Sequence, residues 1–184
     1  MRWERLFDDL EAQAAEAEHA SLGPEVADRT RRELARVRLA DRFRAAVGRR
    51  VTIVVAGAGR VTGTVQAVGP DWLLVSERPG SETVVRTAAV VSIGGLGTHA
   101  AVAGAEGEVG ARLGLAYVLR GIARDRSEIV MSLTDESALT GRVDRVGADF
   151  VDVALRAGTE QSRDEPIGTR TVPLSAVAAL RRAI

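Results

Sequence analysis

The sequence predicts a mainly β chain with helices: two small five-stranded barrels, each preceded by a helix, plus an N-terminal helical hairpin. Three observations predict it. The stretch VTGTVQAVGPDWLLVSE at residues 61–77 occurs again as LTGRVDRVGADFVDVAL at 139–155, with seven of seventeen positions identical. Short apolar runs of strand length surround both copies. A helical pattern precedes each of them, and LADRFRAAVG (39–48) aligns with LAYVLRGIAR (115–124).

The repeated stretch reads as a bent hairpin. Val61, Val65 and Val68 have polar residues between them, as on a strand with one buried face. Gly69-Pro70-Asp71 is a turn. Its second copy, Gly147-Ala148-Asp149, keeps Gly and Asp without Pro. Trp72 and Phe150 each open a second apolar run. Gly63 and Gly141 fall inside strands, where Gly marks a bulge or a sharp bend that curls a short sheet.

Taken in order, residues 1–20 place Trp3, Phe7, Leu10, Ala14 and Ala17 on one helical stripe. Ser21-Leu22-Gly23-Pro24 ends that helix and starts a second, expected over 24–47. The second helix switches its apolar side, from Val26, Thr30, Leu34 and Val37 to Leu39, Phe43, Ala46 and Val47. Its first half is therefore expected against the first helix and its second half on a barrel. Strands follow at 51–56, 60–68, 72–77, 82–86 and 89–93. Residues 94–110, rich in Gly and Ala, read as a linker. A helix at 111–124 and strands at 129–133, 139–146, 150–155, 170–172 and 176–180 repeat the plan, with a polar loop at 157–168. The expected division is a helical hairpin (1–38), a first barrel (39–96), a linker (97–110) and a second barrel (111–184).

Composition narrows the function classes. Hydrophobic residues make up 46% of the chain and aromatic residues 3%, so Val, Leu and Ala must fill the cores. The absence of Cys excludes disulfides and thiolate metal sites. No apolar run approaches membrane-spanning length and Met1 leads into RWERLFDDLE rather than a secretory signal, so a cytoplasmic protein without membrane contact is expected. All 25 basic residues are Arg, as in proteins of GC-rich bacterial genomes. A net charge of zero argues against a generally basic nucleic-acid coat. The distribution is uneven: residues 1–28 hold eight acids and two Arg, and 29–50 hold nine Arg and two acids. The Arg run reads either as a face paired with the acids of the first helix or as a phosphate site.

The helix ending LRGIARDR, IVMSL, the turn at Thr134-Asp135-Glu136, LTGRVDRVGADFVDV and TVPLSAVAAL together resemble an Sm-like protein. The second unit is most similar to a bacterial Hfq-like module. Gly141, Val143, Asp149 and Phe150, and in the first unit Gly63, Val65, Asp71 and Trp72, match the family's strand 2–strand 3 signature. The resemblance covers 39–96 and 111–184. It implies SH3-like barrels, RNA as a partner, and ring oligomers joined by strand 4 to strand 5 edge pairing. The family's uracil-binding residues are missing. The chain has no Asn, and the Lys-His pair falls on Thr87-Ala88 and on Leu174-Ser175.

VVAGAGRVTG (54–63) imitates a dinucleotide fingerprint, but a strand follows where the motif needs a helix, so a hairpin turn is the reading. His19 and His99 have no partner spaced for a metal, and no Ser lies in a nucleophile elbow. Asp71 and Asp149 read as turn residues capping their own backbone. No catalytic constellation, metal site or small-molecule cofactor is expected. Arg49, Arg50, Arg60, Arg86, Arg142 and Arg145 remain as candidate nucleic-acid-binding residues, since they fall at a helix end or on strands and loops where phosphates are reachable. The expected function is a non-catalytic, Hfq-like RNA-binding or regulatory module. The alternative is a protein-interaction or assembly scaffold that self-associates through barrel edges or the N-terminal helices.

Overall fold

The computed structural model describes residues 31–102, 113–155 and 168–183. The chain divides into two units, residues 1–38 and Leu39–Ile184. Of the first, the described part is helical at 31–34 and turns at 35–36. The remainder of the expected hairpin lies outside the described residues. The single helix expected over 24–47 is interrupted after residue 34, and helix α1 (Leu39–Ala45) begins anew. The switch of apolar side read from the sequence marks that interruption.

The second unit carries ten strands: β1 (Arg50–Val55), β2 (Gly59–Val68), β3 (Trp72–Arg78), β4 (Ser81–Arg86), β5 (Val90–Gly94), β6 (Glu128–Leu133), β7 (Ala138–Val146), β8 (Phe150–Leu155), β9 (Thr169–Pro173) and β10 (Val177–Arg182). Helix α2 (Leu115–Asp125) precedes β6. The two separate Sm-like/SH3-like five-stranded barrels expected from the sequence are not formed. The strands make one open antiparallel sheet in the order β5-β1-β2-β3-β4-β10-β6-β7-β8-β9. Each repeat supplies five neighbouring strands in the same internal order, and β4 of the first joins β10 of the second. Ala179 faces Val85, Leu180 faces Val84 and Arg181 faces Thr83 across that seam.

The physical reason lies in how the seam strands are buried. Successive residues of a strand point to opposite faces. On β4, Val85 enters one core and Val84 enters the other. On β10, Ala178 and Ala179 join the first core, while Val177 and Leu180 join the second. On β3, Leu73 and Val75 lie in the first core, while Trp72 and Leu74 pack against the second. The two cores therefore share strands and sit on opposite faces of the central sheet. Both seam strands show unbroken buried runs, the pattern of a strand covered on both sides.

Each core is completed by a helix. Phe43 of α1 and Ala46, in the turn just after it, are fully buried in the first core. Gly48, with φ of +80°, lets the chain turn out of α1, and its amide donates to the Val65 carbonyl at 2.8 Å. Leu115 and Leu119 of α2 enter the second core, with Val118 and Ile122 beside them. The chain after β5 stays close to α1: Leu96 is buried in the first core, and the Ala101 amide donates to the Asp41 carbonyl at 2.9 Å.

The repeated glycines have a packing cause. In both copies the turn is closed by a Gly amide donating to an aromatic residue's carbonyl, Gly69 to Trp72 at 2.8 Å and Gly147 to Phe150 at 2.9 Å. The indole of Trp72 and the ring of Phe150 lie directly against these glycines, leaving no room for a Cβ. Gly63 and Gly141 are pressed in the same way against the backbone at Ser76 and Ala154. A register shift follows at corresponding places, between Val65 and Ala67 and between Val143 and Arg145. Bulges of this kind bend a strand.

Candidate functional site

The most elaborated place in the described residues is the seam between the repeats. Three side chains reach across it in addition to the β4–β10 ladder. Trp72 Nε1 donates to the Leu113 carbonyl at 2.7 Å, Asp71 Oδ1 accepts from the Leu115 amide at 2.8 Å, and Arg86 Nη1 donates to the Ser175 carbonyl at 2.7 Å. The tip of the β1–β2 hairpin also lies on the second repeat, with Gly57 against the Leu133–Thr134 backbone. The GAG triplet that imitated a dinucleotide fingerprint is thus a turn whose glycine permits a close backbone approach.

Asp71 does more than its expected turn role. The N-cap of α2 is Gly114, which has no side chain to offer. The carboxylate of Asp71 takes that place from the other repeat, and its negative charge suits a helix N-terminus. Its main-chain carbonyl accepts from the Thr87 amide at 2.9 Å, and Asp149 repeats that bond with the Leu174 amide at 2.7 Å.

The sheet ends in two edges, β5 and β9. They are the same two strand types that meet at the seam. On β1, Val54 faces Ser92 of β5; at the corresponding place on β6, Ser132 faces Ala179 of β10. Leu73 faces Val85 of β4, and its counterpart Val151 faces Val172 of β9. The seam pair Ala179–Val85 therefore corresponds to Ser92 and Val172 on the two edges. Leu180–Val84 corresponds to Ile93 and Thr171. The edges are more polar than the seam, and β9 carries Arg170 and ends in Pro173. Val91 on β5 is 67% exposed.

The six arginines singled out from the sequence are spread over the sheet. Arg49 is exposed between α1 and β1, and its side chain lies near Gly97. Arg50 faces Thr64 and Arg60 faces Val54, so they stand at opposite ends of the β1–β2 hairpin. Arg142 and Arg145 are exposed on β7, five strands from β2 in sheet order, with Arg142 between Glu128 and Ala154 and Arg145 opposite Asp152. Arg86 spends a guanidinium hydrogen on Ser175.

Arg60 meets an arginine that sequence reasoning missed. A cleft of about 150 Å³ over the seam is lined by Arg60, Glu77, Thr83 and Arg181, with Ala58 and Ala179 among its small walls. Thr83 is buried and donates its hydroxyl to Glu77 Oε1 at 2.8 Å. A groove of about 500 Å³ shares Glu77 and Arg181 with the cleft and adds Thr62, Arg78, Glu82 and Arg182. Among 25 arginines, Arg181 carries no spacing signal of its own. Its place beside Arg60 depends on the seam.

Asp135 is held below the usual carboxylate range, first by the Ser137 hydroxyl at 2.6 Å and then by the Ser137 amide at 3.0 Å. It closes the β6–β7 turn. Among the described residues no three His, Cys, Asp or Glu side chains are grouped to hold a metal, and no helix is long and apolar enough to cross a membrane. No protein-family model matches the chain, and no curated protein matches it.

Proposed function

We propose that the chain is a non-catalytic assembly module that joins further copies of itself edge to edge, β9 of one copy against β5 of the next. The observation that carries this reading is the seam. One strand pair of this type already exists inside the chain, and the two strands left at the ends of the sheet are of the same two types. A β9–β5 junction would repeat the β4–β10 register, with Ser92 facing Val172 and Ile93 facing Thr171. Unpaired edges present amides and carbonyls that favour such addition. Head-to-tail addition closes into a ring or extends as a filament, depending on the rotation per step.

The side chains set the strength. Val84 and Leu180 of the seam are replaced at the edges by Thr171 and Ile93, so less apolar surface is available for burial. The seam also forms within one chain, at an effective concentration of millimolar order. Association between copies is therefore weaker than the seam and depends on protein concentration. The alternative of an RNA-binding, Sm-like module has less support. Its six arginines are dispersed, and one of them is engaged in the seam. A cytoplasmic location is part of the proposal, and cell fractionation tests it.

The chain contains no cysteine, which permits a clean test. Opposed residues of an antiparallel pair have Cα atoms about 4.5–5.5 Å apart, within disulfide reach. The double variant Ile93→Cys, Thr171→Cys should form interchain disulfides on oxidation, giving a ladder of multiples on a non-reducing gel. Each single variant should give dimers at most. A chain that stays monomeric by light scattering at high concentration, with no ladder from the double variant, would refute the edge-to-edge reading.

A further inference from the structure

We propose that the cleft over the seam binds the phosphoryl group of a small polyhydroxylated phosphomonoester, of the sugar phosphate type. Arg60 from β2 and Arg181 from β10 bring two guanidinium groups to one cleft. No ion pair to either is present among the described residues. The pair is not part of the framework that the repeats share. The counterpart of Arg60 in the second repeat is Ala138. The counterpart of Arg181 in the first is Gly94, since Arg181 faces Val130 and Gly94 faces the corresponding Thr52. Both arginines therefore belong to the seam alone, where each repeat contributes one.

The size and lining select the ligand. A cleft of about 150 Å³, open to solvent, has room for a phosphoryl group. Planar guanidinium groups donate paired hydrogen bonds to phosphoryl oxygens. Glu77 holds the Thr83 hydroxyl and offsets one of the two positive charges, so the cleft keeps a net positive charge. The adjoining groove is lined by Arg78, Arg181 and Arg182 together with Glu77, Glu82, Thr62 and Ser81. Its carboxylates accept hydrogen bonds from hydroxyl groups, and its guanidinium groups donate to hydroxyl oxygens. A polyol body in the groove with its phosphoryl group in the cleft satisfies both. Among the described residues no aromatic side chain lines either space, so these residues offer no platform for stacking a nucleobase.

Titration calorimetry on the full chain at low ionic strength tests this with four probes: glucose 6-phosphate, glucose, inorganic phosphate and a single-stranded RNA oligonucleotide. Glucose 6-phosphate should bind, inorganic phosphate should bind more weakly, and glucose should not bind. Arg60→Ala and Arg181→Ala should each weaken glucose 6-phosphate by about tenfold or more, the loss of charged hydrogen bonds. Arg124→Ala, on an exposed turn of α2, should leave it unchanged. Circular dichroism of the variants confirms their fold, and Arg60→Gln and Arg181→Gln give a second pair that keeps more of the side chain. Absence of glucose 6-phosphate binding at millimolar concentration overturns the proposal. So does binding retained in both arginine variants, equal affinity for inorganic phosphate, or binding of the RNA alone.

Discussion

The carboxylate of Asp71 accepts the amide hydrogen of Leu115 at 2.8 Å, so a turn in the first repeat caps the helix of the second. The two residues are 44 positions apart. The bond is reinforced next door, where Trp72 Nε1 holds the Leu113 carbonyl at 2.7 Å. A turn residue that recurs for local reasons in both repeats has acquired a long-range role in one of them.

Removing that cap gives the first prediction. Asp71→Ala should lower stability by about 1 kcal/mol, the usual cost of losing an N-cap acceptor. Asp71→Asn should retain most of it, because the amide oxygen still accepts. Asp149→Ala removes a carboxylate with no corresponding helix amide and should cost less. Urea denaturation of the three variants measures this. Equal losses at Asp71 and Asp149 would show that the helix cap contributes nothing beyond the turn.

The repeat, its turns and the strand positions were legible because they are local. Val61, Val65 and Val68 alternate, Gly69 and Gly147 mark turns, and Phe43 and Leu119 sit on helical stripes. The joining of the repeats was legible only through the resemblance, which implied strand 4 to strand 5 edge pairing, and not from any local pattern. It depends on β4 meeting β10, a pairing across nearly a hundred residues that no local period records. One signal was present. Val84 and Val85 are adjacent and both apolar, as are the residues of Val-Ala-Ala-Leu at 177–180, and such runs indicate strands covered on both faces. The repeat, taken without that signal, suggested two separate barrels. The arginine pair at the cleft escaped for the same reason, because Arg60 and Arg181 become neighbours only after the seam forms.

Gly57 and Gly59 separate two effects that the sequence merges. Both have positive φ, +71° and +73°. An Ala at Gly59 would meet nothing within 4 Å, so it should cost the backbone strain alone, about 1–2 kcal/mol. An Ala at Gly57 carries the same strain and also runs into the Leu133 carbonyl. Gly57→Ala should therefore destabilise clearly more than Gly59→Ala, and hydrogen exchange should show the excess as lost protection at the β6–β7 turn. Equal effects at the two positions would mean that the hairpin tip does not rest on the second repeat in solution.

Asp135 predicts a small pH dependence with a definite sign. Its folded pKa lies below the ordinary value of 3.8, because the Ser137 hydroxyl and amide stabilise the carboxylate. The contribution is fully present above the unfolded value and is lost as pH falls through the lower folded value. Ser137→Ala should move the Asp135 titration midpoint up toward 3.8, read by NMR of the carboxyl carbon. A midpoint unmoved by the substitution would remove Ser137 as the cause.

The shared strands predict how the molecule comes apart. Val84 belongs to a first-repeat strand but packs in the second core, so Val84→Ala should weaken protection in β6 and β8, which belong to the other repeat. The cost should be of order 1–3 kcal/mol for a buried valine. The same logic applies to a fragment of residues 111–184. It keeps β10 but loses β4, leaving one ladder of β10 open, and Ala178 and Ala179 lose the first core. Val177 and Leu180 remain in a core that lacks Val84, Trp72 and Leu74. α2 also loses its Asp71 cap. The fragment should unfold at lower denaturant than the full chain, or associate through the opened edge. Sedimentation and urea titration of the fragment distinguish these outcomes from independence. A monomeric fragment with a cooperative transition at the full-chain midpoint would mean that each core is self-sufficient and that the seam is a contact rather than a common element.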